Sequence, residues 1–209
     1  MMTSASTAAG PRPLGSLSGM IVLVGAGKMG GAMLEGWLAL GLDVKNLVVL
    51  EPQPTRDIWG LTGHGLQLNP ANPIGEAAAI VIALKPQTAP EVLPTLASFI
   101  GTGTVVVSIM AGRTLAFLES ALSQRAALVR CMPNTPAAIG RGITVAVPNV
   151  RVSQRQRDLV HALLAATGTV EWIADEAMMD AVTAVSNMAA SSASRAPLPA
   201  QTTNWKAGK

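Results

Sequence analysis

Three glycines in the stretch "LVGAGKMGGAM" stand at Gly25, Gly27 and Gly30, the spacing G-x-G-x-x-G. The first permits a tight turn, the second lets the backbone approach a pyrophosphate, and the third lets a following helix lie close to the preceding strand. The helix mouth then turns free backbone N–H groups and the positive end of its dipole toward the phosphates. Glu51, 21 residues past Gly30, ends the next strand-like run. A carboxylate there accepts hydrogen bonds from ribose hydroxyls and repels a 2′-phosphate. The set points to a dinucleotide, NAD or NADP, with NAD favoured by Glu51. Arg56 is the residue that would receive a 2′-phosphate instead, and a glycine turn without ligand is the plain alternative.

Other reactive residue types offer less. Cys131 is the single cysteine, which excludes an internal disulfide and a cysteine metal cluster, and its strand-like surroundings suit a buried, inert thiol. His64 lies in the Gly-flanked "TGHGL" and His161 in a helical stretch, and neither has a ligand-spaced partner. No metal site is expected, and no His/Asp pair suggests itself as an acid–base couple.

The elements that must position the glycine loop read clearly. "MIVLVGAG" is a continuous apolar run ending in glycines, and "KMGGAMLEGWLALGL" places Met29, Met33, Leu34, Trp37, Leu38 and Leu40 along one helical face. Then come strand-like "LVVLE", "LQLNP" and "AIVIALKP", a helix over "TAPEVLPTLASFI" in spite of Pro94, strand "TVVVSI" and helix "RTLAFLESALS". Strand "AALVRCMP", strand "GITVAVPN", helix "SQRQRDLVHALLAATG", strand "TVEWI" and helix "DEAMMDAVTAVS" complete the series. Apolar strands separated by helices describe a sheet covered on both faces. The expected fold class is α/β, a Rossmann-like doubly wound, mostly parallel sheet.

Composition bounds the partners. The chain has 209 residues, 49% hydrophobic and 13% charged. Its longest apolar run, Ala77 to Leu84, is far shorter than the roughly 20 residues a bilayer requires. Four of the 15 basic residues and none of the 12 acidic ones lie in 1–19 and 187–209, leaving a body with a net charge of −1. With aromatics at 3%, that body offers neither a basic face nor a stacking platform for nucleic acid. Residues 1–19 lack the charged start and apolar run of a signal peptide and read as a disordered lead. A dinucleotide-binding domain is expected over 20–186, with a disordered or aberrant tail over 187–209. Neither a membrane nor a nucleic acid is an expected partner, and a cytoplasmic location follows.

The fold does not choose the reaction. "GAGKMGGAMLEGWL", "ALKPQ" (83–87), "VVVSIMAGRTL" (105–115) and "VRCMPNTPAAIGRGITVAVPN" (129–149) occur in that order. Together they resemble pyrroline-5-carboxylate reductase, the last enzyme of proline biosynthesis, with "MPNTP" the most specific segment. The resemblance implies that Gly25, Ala26, Gly27, Lys28 and Met29 cradle the diphosphate. It places Ala83, Leu84, Lys85 and Pro86, and Ile109, Met110 and Ala111, along the ribose and nicotinamide side, and matches Asn72 to a polar position touching the cofactor. The turn at 83–86 is read as working through its backbone groups with Lys85 helping electrostatically, and proton transfer by Lys85 is the lesser alternative. Asn134 and Thr135 either shape the nicotinamide pocket or form a structural turn. The implied chemistry is NAD(P)H-dependent reduction of the cyclic imine 1-pyrroline-5-carboxylate to L-proline, with a hydride passing to the C=N carbon.

The resemblance ends near Ser186. In the family the next segment is a Gly/Ser/Pro turn that grips the substrate carboxylate, followed by a helical domain that builds the homo-oligomer and completes the catalytic pocket. Here "NMAASSASRAPLPAQTTNWKAGK" has neither. The expectation is a cofactor half with reductase activity impaired or absent, catalytic residues unknown and expected in the missing helical domain, and apolar surface exposed or badly packed around Met178, Met179, Val182 and Val185. A non-catalytic dinucleotide-binding module, and an oxidoreductase like the β-hydroxyacid dehydrogenases, stand as the alternatives.

Overall fold

Valine, isoleucine and leucine dominate a series of short runs, and in the computed structural model these form one eight-stranded sheet. The structure describes residues 13–71, 75–122, 125–134 and 142–179. The strands are β1 (Met20–Val24), β2 (Leu47–Leu50), β3 (Gln67–Leu68), β4 (Ala77–Ile82), β5 (Val105–Ser108), β6 (Ala127–Pro133), β7 (Gly142–Pro148) and β8 (Gly168–Trp172). They lie in the order β3-β2-β1-β4-β5-β6-β7-β8. The direction of winding reverses between β1 and β4, which opens a crevice beyond the carboxyl ends of those two strands, the place where Rossmann-like sheets bind ligands.

Side chains alternate between two cores. Ile21, Leu23, Leu47, Val49, Ala79, Val81, Val105 and Val107 face one, covered by helices α1 (Lys28–Ala39) and α5 (Gln154–Leu164) through Met33, Leu34, Trp37, Val160, Leu163 and Leu164. Val22, Val24, Val48, Ile80, Ile82, Val106 and Leu128 face the other, under Ala89, Leu93, Leu96, Phe99 and Leu118. Burial on both faces explains why these strands read as unbroken apolar runs. The Trp37 indole N–H donates to the Leu163 carbonyl at 2.8 Å, which ties α1 to α5.

The structure departs from the sequence reading in several places. Strand β7 runs antiparallel to β6. Only residues 134–141 connect the two, too few for a helical crossover, and a return strand is the short solution. The helix expected from "TAPEVLPTLASFI" is a single α-helical turn, α3 (Ala89–Val92), continued as a 3₁₀ stretch, Leu93–Phe99. Pro94 has no N–H for the α-helical bond and its ring crowds the carbonyl four residues back. An unexpected helix, α2 (Arg56–Thr62), starts at Thr55, whose hydroxyl accepts from the Ile58 N–H, and it buries only Ile58. Helix α4 (Leu115–Ala121) is capped in the same way by Thr114.

The segment read as a disordered lead is docked from Pro13 onward. Leu14 is fully buried, its N–H donates to the Leu40 carbonyl at 2.8 Å, and Leu17 packs against the same core. Met179, expected to lie exposed, is buried against Val145 and Val147, whereas Met178 is 54% exposed. The buried Arg130 explains the docking of that segment: its guanidinium meets the Glu176 carboxylate at 2.7 Å, and the same oxygen accepts from the Leu115 N–H. Val182 and Val185 lie outside the described residues.

Candidate dinucleotide site

Beyond β1 the chain turns through Gly25, which has φ +88°, a conformation natural to glycine. A Cβ on Gly30 would collide with the Gly25 carbonyl oxygen, so the first turn of α1 can lie against the loop only because residue 30 has no side chain. At Gly27 the situation is opposite: a Cβ would meet nothing within 4 Å. Gly27 is the cap residue of α1, where no side chain caps the helix and no acid stands in the first turn. The first N–H groups of a helix have no intrahelical partner. An anion fits there by space, by donors and by dipole. Gly27 and Lys28 are exposed, and Met29 is half-buried.

Glu51 is already engaged. One carboxylate oxygen accepts from the Ala26 N–H at 2.8 Å and the other from the Gln53 N–H at 3.0 Å. The carboxylate therefore braces the glycine loop against the end of β2, and Ala26 spends its N–H on that brace. Each oxygen retains a second lone pair for a hydroxyl donor.

Asn69, which sequence reasoning missed, fixes Glu51 in turn. Its side-chain oxygen accepts from the Glu51 N–H and its amide donates to the Glu51 carbonyl, both at 2.8 Å. Asn69 has φ +45°, which asparagine tolerates better than most residues. The Asn-Pro pair closing "LQLNP" was the available signal, a turn signature at a strand end.

The other side of the crevice is built by the turns after β4 and β5. The Ala83 N–H donates to the Val24 carbonyl at 2.8 Å and the Ile109 N–H to the Ile82 carbonyl at 3.0 Å, so both turns leave the sheet at the same end as the glycine loop. Lys85 and Ala111 are exposed, and Ala83, Leu84, Pro86 and Ile109 are half-buried. Met110 sends its side chain into the core, and its N–H donates to the Ser108 hydroxyl at 3.3 Å. Arg113 donates to the Pro86 carbonyl at 2.7 Å, a second contact that sequence reasoning missed.

The remaining candidates stand apart. Asn72 and Thr135 lie outside the described residues. Asn134 is buried, and its side-chain oxygen accepts from the Ile143 N–H at 3.0 Å, so it closes the β6–β7 connection as a structural turn residue. Complete burial pushes the Cys131 thiol far up from its ordinary range, and the group stays protonated and inert. His161 accepts from the Trp172 indole N–H at 3.2 Å. A cavity of about 1270 Å³ lies at the opposite end of the sheet, lined by Glu76, Arg125, Arg151 and Asp158 among others. Its rim charges are mixed in sign and exposed.

Comparison with known proteins gives the following relatives. Residues 20–112 match the family described as NADP oxidoreductase coenzyme F420-dependent. Pyrroline-5-carboxylate reductase of Pseudomonas aeruginosa is 35% identical over 168 residues, covering 79% of this chain and 62% of that protein. The enzyme of the same name from Mycobacterium tuberculosis is 36% identical over 173 residues, covering 79% and 58%. The chain spans about three fifths of the length of these curated relatives. A solved pyrroline-5-carboxylate reductase from Coxiella burnetii superimposes with a TM-score of 0.75 at 25% identity, covering 84% of this chain and 66% of that one. Plasmodium falciparum pyrroline carboxylate reductase, solved with NADP bound, superimposes with a TM-score of 0.67 at 23% identity over 84% of this chain and 64% of that one, a likeness of fold.

Proposed function

We propose that this chain is the dinucleotide-binding domain of a pyrroline-5-carboxylate reductase, and that it binds NAD(P)H and presents the reduced nicotinamide to 1-pyrroline-5-carboxylate, for reduction to L-proline. The observation that carries the reading is the start of α1, uncapped by any side chain and with open space at its cap residue, Gly27. In this reading the N–H groups of the first turn hold the diphosphate, and the turns at 83–86 and 109–111 flank the nicotinamide. Glu51, held by Ala26, Gln53 and Asn69, offers its remaining lone pairs to the adenosine ribose hydroxyls, which favours NADH over NADPH.

The cofactor supplies a hydride for the C=N carbon of the imine, whose nitrogen ends protonated. A protonated cyclic imine is already strongly electrophilic, so the protein's task is alignment of two rings and exclusion of water. Exposed Lys85 contributes positive charge beside the site. The binding unit is taken as residues 20–186, extended by the docked arm from Pro13. Carboxylate binding and self-association are assigned to the helical part that the resemblance implies beyond it, and a cytoplasmic setting suits a small-molecule partner with neither membrane nor nucleic acid.

The test is a fluorescence titration of the folded chain with NADH and NADPH, followed by an assay of dinucleotide oxidation dependent on pyrroline-5-carboxylate. Saturable binding with tighter uptake of NADH is expected. A folded sample that takes up neither dinucleotide at millimolar concentration removes the reading. Binding without oxidation identifies a dinucleotide-binding module.

A further inference from the structure

We propose that Arg113 is a positioning residue for the nicotinamide half of the site, holding the Lys85–Pro86 turn against the loop that follows β5. The proposal rests on the dinucleotide reading above and goes beyond it by assigning a role to a side chain outside the glycine loop.

Arg113 directly precedes Thr114, the residue that caps α4, so its backbone is fixed by the start of that helix. Three observations converge on its side chain. The Nη2 group donates to the Pro86 carbonyl at 2.7 Å, across 27 residues of sequence. The guanidinium carbon stands 4.4 Å from the centroid of the Phe117 ring, in the first turn of α4. The Nε group is buried and has no hydrogen-bond partner among the described residues. A stacked guanidinium with one directed bond is held in a fixed plane, which a flexible ammonium does not reproduce. A buried donor left without a partner is costly and calls for a reason.

The turn it grips is closed on its own side by Thr88, whose N–H and hydroxyl both donate to the Lys85 carbonyl. Past the last ladder bonds of β4 and β5, the Arg113–Pro86 bond links this turn to the loop carrying Ile109, Met110 and Ala111. Both segments flank the nicotinamide in the proposed reading, whereas the adenosine end lies by Glu51. Loss of the link therefore loosens one half of the site and spares the other.

The experiment compares two ligands, NADH and ADP-ribose, which lacks the nicotinamide ring, on the wild-type chain and on Arg113→Ala and Arg113→Lys. Arg113→Ala is expected to weaken NADH by about tenfold, the size of one charge-assisted hydrogen bond, and to leave ADP-ribose within about twofold. Arg113→Lys, which keeps a donor but not the stacked plane, recovers part of the loss and serves if the alanine variant does not fold. Equal loss of both ligands, or loss of neither, overturns the proposal. A wild-type chain that binds ADP-ribose but not NADH also overturns it, and one that binds neither ligand overturns the dinucleotide reading itself.

Discussion

Helices α1 and α5 pack on the same face of the sheet and are tied together by Trp37, yet they begin in opposite ways. At α5 the Ser153 side chain accepts from the Gln156 N–H while the Gln156 side chain accepts from the Ser153 N–H, a reciprocal capping box. At α1 the cap position is Gly27, with no side chain to offer. Helices α2 and α4 have the simpler cap in which the Thr55 and Thr114 hydroxyls accept from the Ile58 and Phe117 N–H groups. A side-chain cap contributes about 1 kcal/mol to stability. With glycine at the cap, α1 gives up only a few tenths of a kcal/mol relative to such a cap, and the first-turn donors left over are of the kind an anionic ligand needs. One helix start is closed by its own side chains, and the other keeps open the donors on which the proposed dinucleotide reading rests.

The contrast breaks first at Gly30. Gly30→Ala sets a methyl group against the Gly25 carbonyl, so the loop must shift. The expected cost is about 1–3 kcal/mol of stability, together with loss of NADH binding, read by thermal unfolding and by titration. A variant with unchanged melting and unchanged affinity would show that the loop is not set by this contact. Gly27→Val sharpens the contrast, because the new side chain enters open space and the backbone at φ −68°, ψ −159° accepts any L-residue. Stability should fall by only about 1 kcal/mol, because valine is a poorer cap than glycine, while NADH affinity falls by about tenfold or more, since the added volume occupies the space assigned to the diphosphate. A loss of stability with affinity intact would reverse the assignment.

Much of this was legible in the sequence because it depends on local pattern. Strands buried on both faces, such as the one holding Ile80 and Val81, announce themselves as apolar runs, and α1 and α5 by periodicity. The glycine loop is legible because Gly25 and Gly30 answer local steric demands and Gly27 keeps the cap position open. Asn69 and Arg113 were not legible, since their partners are backbone groups 18 and 27 residues away, and a side chain's type does not say which carbonyl it will meet. Leu14 was hidden as a lone apolar anchor among Ser, Gly and Pro. Helix α2 was hidden because seven residues with one buried side chain show no period. The reversal of β7 was implicit in the short connection after β6, a constraint that composition does not display.

The smallest expected effect tests the other half of the contrast. Ser153→Ala removes the α5 cap, and because Ser153 is exposed, water takes over the freed N–H group and limits the penalty. The loss should be about 1 kcal/mol, a fall in melting temperature of about 2–4 °C for a chain of this size. NADH affinity should stay as in the wild type, since the α5 start lies among residues lining the cavity at the opposite end of the sheet. If affinity falls along with stability, strain at α5 reaches α1 through the Trp37–Leu163 bond, and the two helix starts act as one unit instead of dividing their tasks.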